Sequence, residues 1–125
     1  MQLPELAPTE LEVMRALWSA ERMSAREVHD RIGPRLGWEY STTRTVLGRL
    51  VKKGVVYRTD FHGLQLYSSA ISRPQGLARF VRDFAQRVLL ADPAPVVSLL
   101  ADEGDLTEAE VIEIKRLIEE SEDDA

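Results

Sequence analysis

The residues best suited to chemistry are concentrated between Ser41 and Thr59. This stretch carries five cations and no Asp or Glu, namely Arg44, Arg49, Lys52, Lys53 and Arg58. Guanidinium and ammonium groups with no carboxylate among them are the groups that proteins use to bind polyanions. We therefore expect an anionic partner for this stretch.

A helix from Ser41, a good N-cap, to Gly54, a typical residue beyond a helix end, would hold most of these cations. Helical spacing puts on one side a mostly apolar set: Thr43, Val46, Leu47, Leu50 and Val51. It puts on the other side a polar set: Ser41, Thr45, Gly48, Arg49 and Lys52, with Thr42, Arg44 and Lys53 on its flanks. Such a helix needs a core on one side and an anion on the other.

An α-helix fits the major groove of B-DNA, where side chains near its N-terminus reach base edges. We expect Thr42, Thr43, Arg44 and Thr45 to face bases, and the later cations to face phosphates. The predicted DNA-binding residues are Ser41, Thr42, Thr43, Arg44, Thr45, Arg49, Lys52, Lys53, Arg58 and His62. The small side chain of Gly48 would allow close approach to the duplex.

Two capped helices precede this one. Thr9 with Glu12, and Ser24 with Glu27, have the spacing of capping boxes. The first predicts a helix over residues 10–20, and the second a helix that ends or frays at Gly33-Pro34. After Gly54 the apolar period changes to two, which predicts strands at about 55–60 and 64–69 joined as a hairpin.

Three short helices followed by a hairpin predict a winged helix-turn-helix over residues 1–73. The fold class is mainly α with a small β-hairpin wing, followed by a helical dimerisation region over residues 74–125. Apolar stripes continue in that region, and a third capping box, Thr107 with Glu110, opens its last helix. We expect a homodimer interface at Leu77, Phe80, Val81, Phe84, Val88, Val97, Leu100, Ile114, Leu117 and Ile118.

The net charge of −5 hides an asymmetry. Residues 1–74 hold 11 Lys and Arg against 8 Asp and Glu, whereas residues 75–125 hold 5 against 13. The cations therefore belong to the winged helix, and the acidic half is expected to face away from DNA.

Several classes of function are disfavoured. There is no cysteine, which excludes disulfides, thiolate metal sites and cysteine nucleophiles. The two histidines, His29 and His62, have no second ligand at metal spacing; we place His29 at the surface of the second helix and His62 on the wing tip. No catalytic motif is visible, so we expect neither an enzyme nor a metal or cofactor site. With no signal peptide in view, we expect a cytoplasmic protein.

The segments Leu11–Trp18, Ser24–Val28 and Tyr40–Gly54 resemble the penicillinase repressor (BlaI/MecI) family of bacterial winged-helix regulators. The resemblance implies a homodimeric repressor that binds palindromic promoter operators, often those of β-lactamase or related resistance genes. It also implies a membrane metalloprotease sensor as partner, which relieves repression by cleavage within the dimerisation region.

Two departures from the family pattern matter. The family wing carries Arg after its glycine, whereas Leu64 follows Gly63 here. The cleaved Asn-Phe bond of the family corresponds to Leu99-Leu100, the candidate cleavage site, so induction by the same proteolysis is not expected. Two alternatives stay open: a winged helix that binds a protein partner, and a regulator gated by a small molecule.

Overall fold

The computed structural model describes residues 3–90, 92–93, 95–97 and 106–123. The chain folds as two compact units: Ala7–Ser72, and a second unit that combines Met1–Leu6 with Arg73–Ala125. The N-terminal segment, which the sequence analysis assigned to the winged helix, thus groups with the second unit. Within this second unit, Glu5 forms an ion pair with Arg87.

The first helix, α1 (Pro8–Trp18), begins two residues earlier than predicted. A proline occupies its first position, where the missing N–H would have had no helical partner. The cap comes from Glu10, whose carboxylate accepts a 2.8 Å hydrogen bond from the Ala7 N–H. The predicted capping box of Thr9 with Glu12 is therefore wrong, because the helix start set by the proline makes Glu10 the third helical residue.

The second helix, α2 (Ala25–Leu36), begins at the capping box of Ser24 and Glu27, as predicted. Hydrogen bonds from Ser24 hold the pKa of the Glu27 carboxyl below its ordinary value. The predicted end at Gly33-Pro34 is wrong, since a proline this near the end removes only one helical hydrogen bond. The helix stops instead at Gly37, whose φ of 70° is the left-handed conformation that closes a helix.

The third helix, α3 (Tyr40–Lys52), follows after a short connection. Its N-cap is Glu39 rather than the predicted Ser41, and the Glu39 side chain makes no capping hydrogen bond. Its end agrees with the prediction: Gly54 has a φ of 81°, and its N–H donates to Val51 O at 3.0 Å.

The predicted hairpin is confirmed as β2 (Val56–Phe61) and β3 (Leu64–Ser69). The two residues of its turn both have positive φ, the conformation that matches the natural twist of a hairpin. A two-residue strand that the sequence analysis did not predict, β1 (Met23–Ser24), pairs with β3, which gives an antiparallel sheet of order β1-β3-β2. The indole N–H of Trp18 donates to Ser69 Oγ and ties α1 to the end of this sheet.

The second unit is built on α4 (Arg73–Phe84), which continues as one π-helical turn over Ala85–Leu89, and on α5 (Glu108–Asp123). The capping box of Thr107 and Glu110 opens α5, as predicted. One shared core lies between these elements and residues 95–97, made of Ala78, Val81, Val97, Ile114 and Ile118. None of the described helices has the length and hydropathy of a membrane-spanning segment.

This core changes the expected dimer interface. Four of the predicted interface residues, Val81, Val97, Ile114 and Ile118, are buried inside the unit of a single chain. These side chains were expected to face water in a single chain, but α4, α5 and residues 95–97 bury them together. Phe84 and Val88 are exposed, while Leu77, Phe80 and Leu117 are partly buried. Leu100 lies outside the described residues.

A buried carboxylate joins the first and third helices. Glu10 is 1% exposed, and its Oε1 lies 2.6 Å from the Nζ of Lys53, directly after α3. The same oxygen accepts from the Ala7 N–H, whereas Oε2 is buried without a hydrogen bond. Glu10 therefore accepts from one donor at the start of α1 and from another directly after α3.

We expect Glu10→Ala to lower the free energy of unfolding by about 1–3 kcal/mol, because it leaves a partly buried ammonium and a helix-start N–H without this acceptor. The matched control is Glu12→Ala on the same helix, which removes more exposed ion pairs and costs less than about 1 kcal/mol. Urea unfolding followed by circular dichroism measures both. Equal losses in the two variants would contradict the structural role of Glu10.

Candidate nucleic-acid interface

The helix α3 has two chemically different sides in the structure. Its apolar side is buried as predicted, with Val46, Leu47 and Leu50 each no more than 4% exposed. The opposite side exposes most of the predicted DNA-binding residues, Ser41, Thr42, Arg44, Thr45, Arg49 and Lys52. Burial of the apolar side thus determines which side chains a long polyanion could reach.

Two of the predicted DNA-binding residues are used inside the protein instead. Thr43 is fully buried, and its Oγ1 lies 2.7 Å from Nδ1 of His29 on α2. His29 is therefore part of the contact between helices rather than the surface residue that was expected. Lys53 is bound by the buried carboxylate of Glu10, which directs its ammonium toward α1. Both residues position α3, so we no longer expect either of them to contact DNA.

The hydroxyl groups at the start of α3 are not equivalent. Thr45 donates its hydroxyl hydrogen to the Ser41 carbonyl at 2.9 Å, so its methyl group and an oxygen lone pair remain for an external partner. Ser41 and Thr42 are exposed in the first turn. Because Ser41 is not the N-cap, its hydroxyl is not used to cap the helix.

The wing contributes a mixture of charge and apolar surface. Arg58 and His62 are exposed, as predicted. The cross-strand pairing puts Tyr57, Phe61 and Leu64 on one face of the hairpin, and all three are at least 47% exposed. Phe61 and Leu64 are directly opposite each other and form an apolar patch next to the turn, whereas Thr59 separates Phe61 from Tyr57 on the same face.

Two arginines that were not among the predicted DNA-binding residues contact aromatic rings, one at the wing and one at the start of α3. The Arg22 guanidinium lies 5.0 Å from the ring centroid of Phe61 at the wing. Arg26, in the first turn of α2, lies 4.0 Å from the ring centroid of Tyr40, the first residue of α3. The sequence could have indicated these two residues, because Tyr40 directly precedes the polar residues of α3 and Arg26 lies in the first turn after the Ser24 cap.

The cations of the two units differ in their partners. In the second unit, carboxylates pair with the guanidinium groups of Arg73, Arg79, Arg82, Arg87 and Arg116. Within residues 7–72, none of the ion pairs involves the exposed cations of α3 and the wing, Arg44, Arg49, Lys52 and Arg58. These four charges are therefore available to an external anion. The described residues contain no cluster of His, Asp and Glu that could hold a metal ion.

A family model described as penicillinase repressor matches residues 6–120. The chain belongs to the penicillinase repressor family. This match spans both compact units, so the membership does not rest on the helix-turn-helix alone. This family is the one that the segment Tyr40–Gly54 resembles.

Relatives and a solved structure agree with this membership. The methicillin resistance regulatory protein MecI, of Mammaliicoccus sciuri and of Staphylococcus aureus, is 25% identical over 114 residues, covering 91% of this chain and 93% of the relative. The penicillinase repressor of Bacillus licheniformis is 24% identical over 119 residues, covering 95% of this chain and 93% of the relative. The solution structure of the DNA-binding domain of the repressor BlaI is 28% identical, with a TM-score of 0.53, and covers 58% of this chain and 88% of that domain. The winged-helix fold of this family member is thereby confirmed.

The two glycines inside the helices of this interface have opposite surroundings. A Cβ at Gly33 of α2 would lie 2.3 Å from the His29 ring, whereas a Cβ at Gly48 of α3 would meet nothing within 4 Å apart from its chain neighbours and its own helix backbone. Gly33 therefore makes room for the His29 ring beside Thr43. Gly48 leaves space on the outer side of α3 that the fold itself does not need.

We expect Gly33→Ala to lower the free energy of unfolding by about 1–3 kcal/mol, because it displaces the His29 ring. Gly48→Ala is expected to raise it by about 0.5–1 kcal/mol through helix propensity, and yet to weaken DNA binding by placing a methyl group on the outer side. Thermal unfolding and DNA titration of each variant measure the two effects. A Gly48→Ala protein that is stabilised and binds DNA unchanged would show that α3 does not approach the duplex closely at this position.

Proposed function

We propose that this penicillinase repressor family member is a homodimeric transcriptional repressor that binds a palindromic DNA operator through the exposed side of α3. The observation that carries the proposal is the set of exposed cations without carboxylate partners, Arg44, Arg49, Lys52 and Arg58. The names of its relatives, a penicillinase repressor and a methicillin resistance regulator, support repression as the outcome of binding. We assign the chain no catalytic activity.

We assign some exposed residues of α3 to contacts with DNA bases and others to contacts with phosphates. Arg44 lies in the N-terminal half of the helix, where a guanidinium can bind guanine O6 and N7 in the major groove. Thr42 and Thr45 offer hydroxyl and methyl groups to neighbouring base edges. Arg49 and Lys52 lie one to two turns later and are assigned to phosphates, together with Arg58 of the wing.

The acidic second unit has a complementary effect on binding. Its net charge of −8, with 5 cations against 13 carboxylates over residues 75–125, disfavours non-specific contact of that unit with a phosphate backbone. The charge difference orients the protein, because the exposed cations of α3 and the wing are not paired with carboxylates, whereas the described arginines of the second unit are. We place its action on DNA in the bacterial cytoplasm.

The proposed dimer uses the apolar surface that remains exposed on the second unit. Phe80 and Phe84 stack with ring centroids 6.3 Å apart, and Phe84 and Val88 are 39% and 63% exposed. Leu90 and Ile112 are further exposed apolar residues of the same unit. A second copy that covers these side chains would remove apolar surface from water, and twofold symmetry would match a palindromic site.

Regulation by proteolysis is a narrower proposal that rests on the family resemblance. The partner would be a membrane metalloprotease sensor, and the target genes would be β-lactamase or related resistance genes. The candidate cleavage site, Leu99-Leu100, lies outside the described residues. Since neither residue matches the cleaved pair of the family, a sensor acting on this chain would need a different sequence preference.

A second candidate function is protein binding through the wing. The exposed apolar face of Tyr57, Phe61 and Leu64 favours it, because charged residues are more usual than apolar ones on a surface that meets only phosphates. The two functions are separable, because only the first requires the cations of α3. The DNA titrations below therefore discriminate between them.

We expect binding to a fragment of the chain's own upstream region to weaken steeply with salt, as counterion release requires. Arg44→Ala is expected to lose about 1–3 kcal/mol of binding free energy and to relax the preference for one base pair, whereas Lys52→Ala weakens all sequences alike. Fluorescence anisotropy with the upstream fragment and with mixed-sequence DNA measures both. Absence of binding by the parent chain at low salt would favour the protein-binding candidate.

For the dimer, we expect Phe84→Glu to convert a dimer into a monomer, because it places a carboxylate in the proposed apolar interface. The matched control is Gln86→Glu, which adds the same charge at an exposed polar position two residues later. Sedimentation velocity measures the oligomeric state, and thermal unfolding checks that the core of the unit is intact. A parent chain that remains monomeric at micromolar concentration, or a dimeric Phe84→Glu variant, would contradict the proposed interface.

A further inference from the structure

Two arginines from different helices lie over one tyrosine ring at the start of α3. The guanidinium carbons of Arg26 and Arg44 are 4.0 and 5.9 Å from the ring centroid of Tyr40. Arg26 comes from the first turn of α2, and Arg44 follows Tyr40 by one turn of α3. Both arginines are exposed, and neither belongs to an ion pair within the described residues 7–72.

The tyrosine ring is itself held in place. The ring of His29 meets it edge to face, with centroids 5.6 Å apart and an interplanar angle of 78°. His29 is fixed in turn by its 2.7 Å hydrogen bond to Thr43 and by the close approach of Gly33. Tyr40 is therefore a platform supported from both α2 and α3.

The arrangement brings two like charges to one tyrosine ring. Two guanidinium groups within 6 Å of the same ring centre repel each other, and the tyrosine face attracts each of them only weakly. Asp30 lies one turn after Arg26 on α2, but none of the ion pairs within residues 7–72 joins the two. A phosphate bound near both guanidinium groups would offset the repulsion.

We propose that Arg26 is a further DNA ligand, a phosphate-binding group that α2 adds to the surface of α3, and that Tyr40 positions it together with Arg44. The proposal rests on DNA binding by the exposed side of α3. A guanidinium stacked on a ring keeps its N–H donors free at its edge and loses less side-chain freedom when it binds a phosphate. Because phosphates carry no sequence information, Arg26 adds affinity and register rather than base preference.

The test uses the full-length chain and a fluorescent mixed-sequence DNA duplex, titrated at salt concentrations between about 50 and 200 mM. We expect Arg26→Gln to weaken binding about tenfold at the lower salt concentration, and to reduce the slope of log affinity against log salt by about one. The same loss is expected on the upstream fragment. Binding and slope equal to those of the parent chain would overturn the role of Arg26.

The matched control is Arg35→Gln on the same helix. Arg35 is also exposed, but its guanidinium is bound by Glu12 at 2.7 Å, so it is not available to a phosphate. The Arg35→Gln variant loses one positive charge from α2, as Arg26→Gln does. We expect the salt slope of Arg35→Gln to equal that of the parent chain. An equal reduction of slope in both variants would show that total charge, and not the stacked position, determines the effect.

Tyr40→Phe and Tyr40→Leu test the positioning role. The phenylalanine keeps the ring and is expected to bind as the parent chain does, whereas the leucine removes the platform and weakens binding. Combined with Arg26→Gln, the leucine is expected to have a smaller effect than in the parent background, because part of its effect passes through Arg26. Additive effects of the two substitutions would overturn the positioning role, and thermal unfolding of each variant verifies that it is folded.

Failure of this inference is distinguishable from failure of the proposed function. A parent chain that binds neither duplex at low salt contradicts the DNA-binding surface as a whole. A parent chain that binds with a steep salt slope, together with an Arg26→Gln variant that behaves identically, contradicts Arg26 alone. Loss in Arg44→Ala serves as the positive reference within the same experiment.

Discussion

The rotation of α3 about its own axis is the constraint on which the rest of the winged helix depends. Val46, Leu47 and Leu50 bury one side of the helix, and the hydrogen bond between buried Thr43 and His29 adds a directional contact that apolar packing alone does not provide. A rotation by one residue would bury a cation and expose the apolar side. The His29 ring, which this hydrogen bond holds, also contacts Tyr40. Packing inside the unit therefore positions the ring to which the exposed arginines Arg26 and Arg44 bind.

The two units handle charge in opposite ways. Residues 73–123 neutralise most of their arginines with carboxylates of the same unit, as in the pairing of Arg116 with Glu113 and Glu120. Those bonds raise the pKa of Arg116 and lower that of Glu113. The winged helix instead leaves the cations of α3 without carboxylates. A surface of this kind is a preorganised polyanion site, because no internal ion pair has to be broken before the ligand binds.

Most elements of the winged helix were predictable because their signals are local. The capping box of Ser24 and Glu27, the glycine after α3 and the period-two pattern of the hairpin all act within a few residues. The wrong predictions concern side chains that contact residues far away in the sequence. Lys53 was predicted to bind a phosphate, but its ammonium donates to Glu10, 43 residues earlier in the chain. The predicted dimer residues Val81 and Ile114 are likewise buried by partners from another part of the chain.

The family, the order of the helices and the wing, and the side of α3 that carries cations were therefore predictable from the amino-acid sequence. Each of these depends on residue type and on spacing along one element. Which polar side chains remain available for a partner depends on tertiary contacts: Thr43 and Lys53 bind other side chains of the protein, while Arg26 joins Arg44 at the ring of Tyr40. The physical reason is that availability depends on what packs against a side chain, and the packing partners come from helices far apart in the sequence.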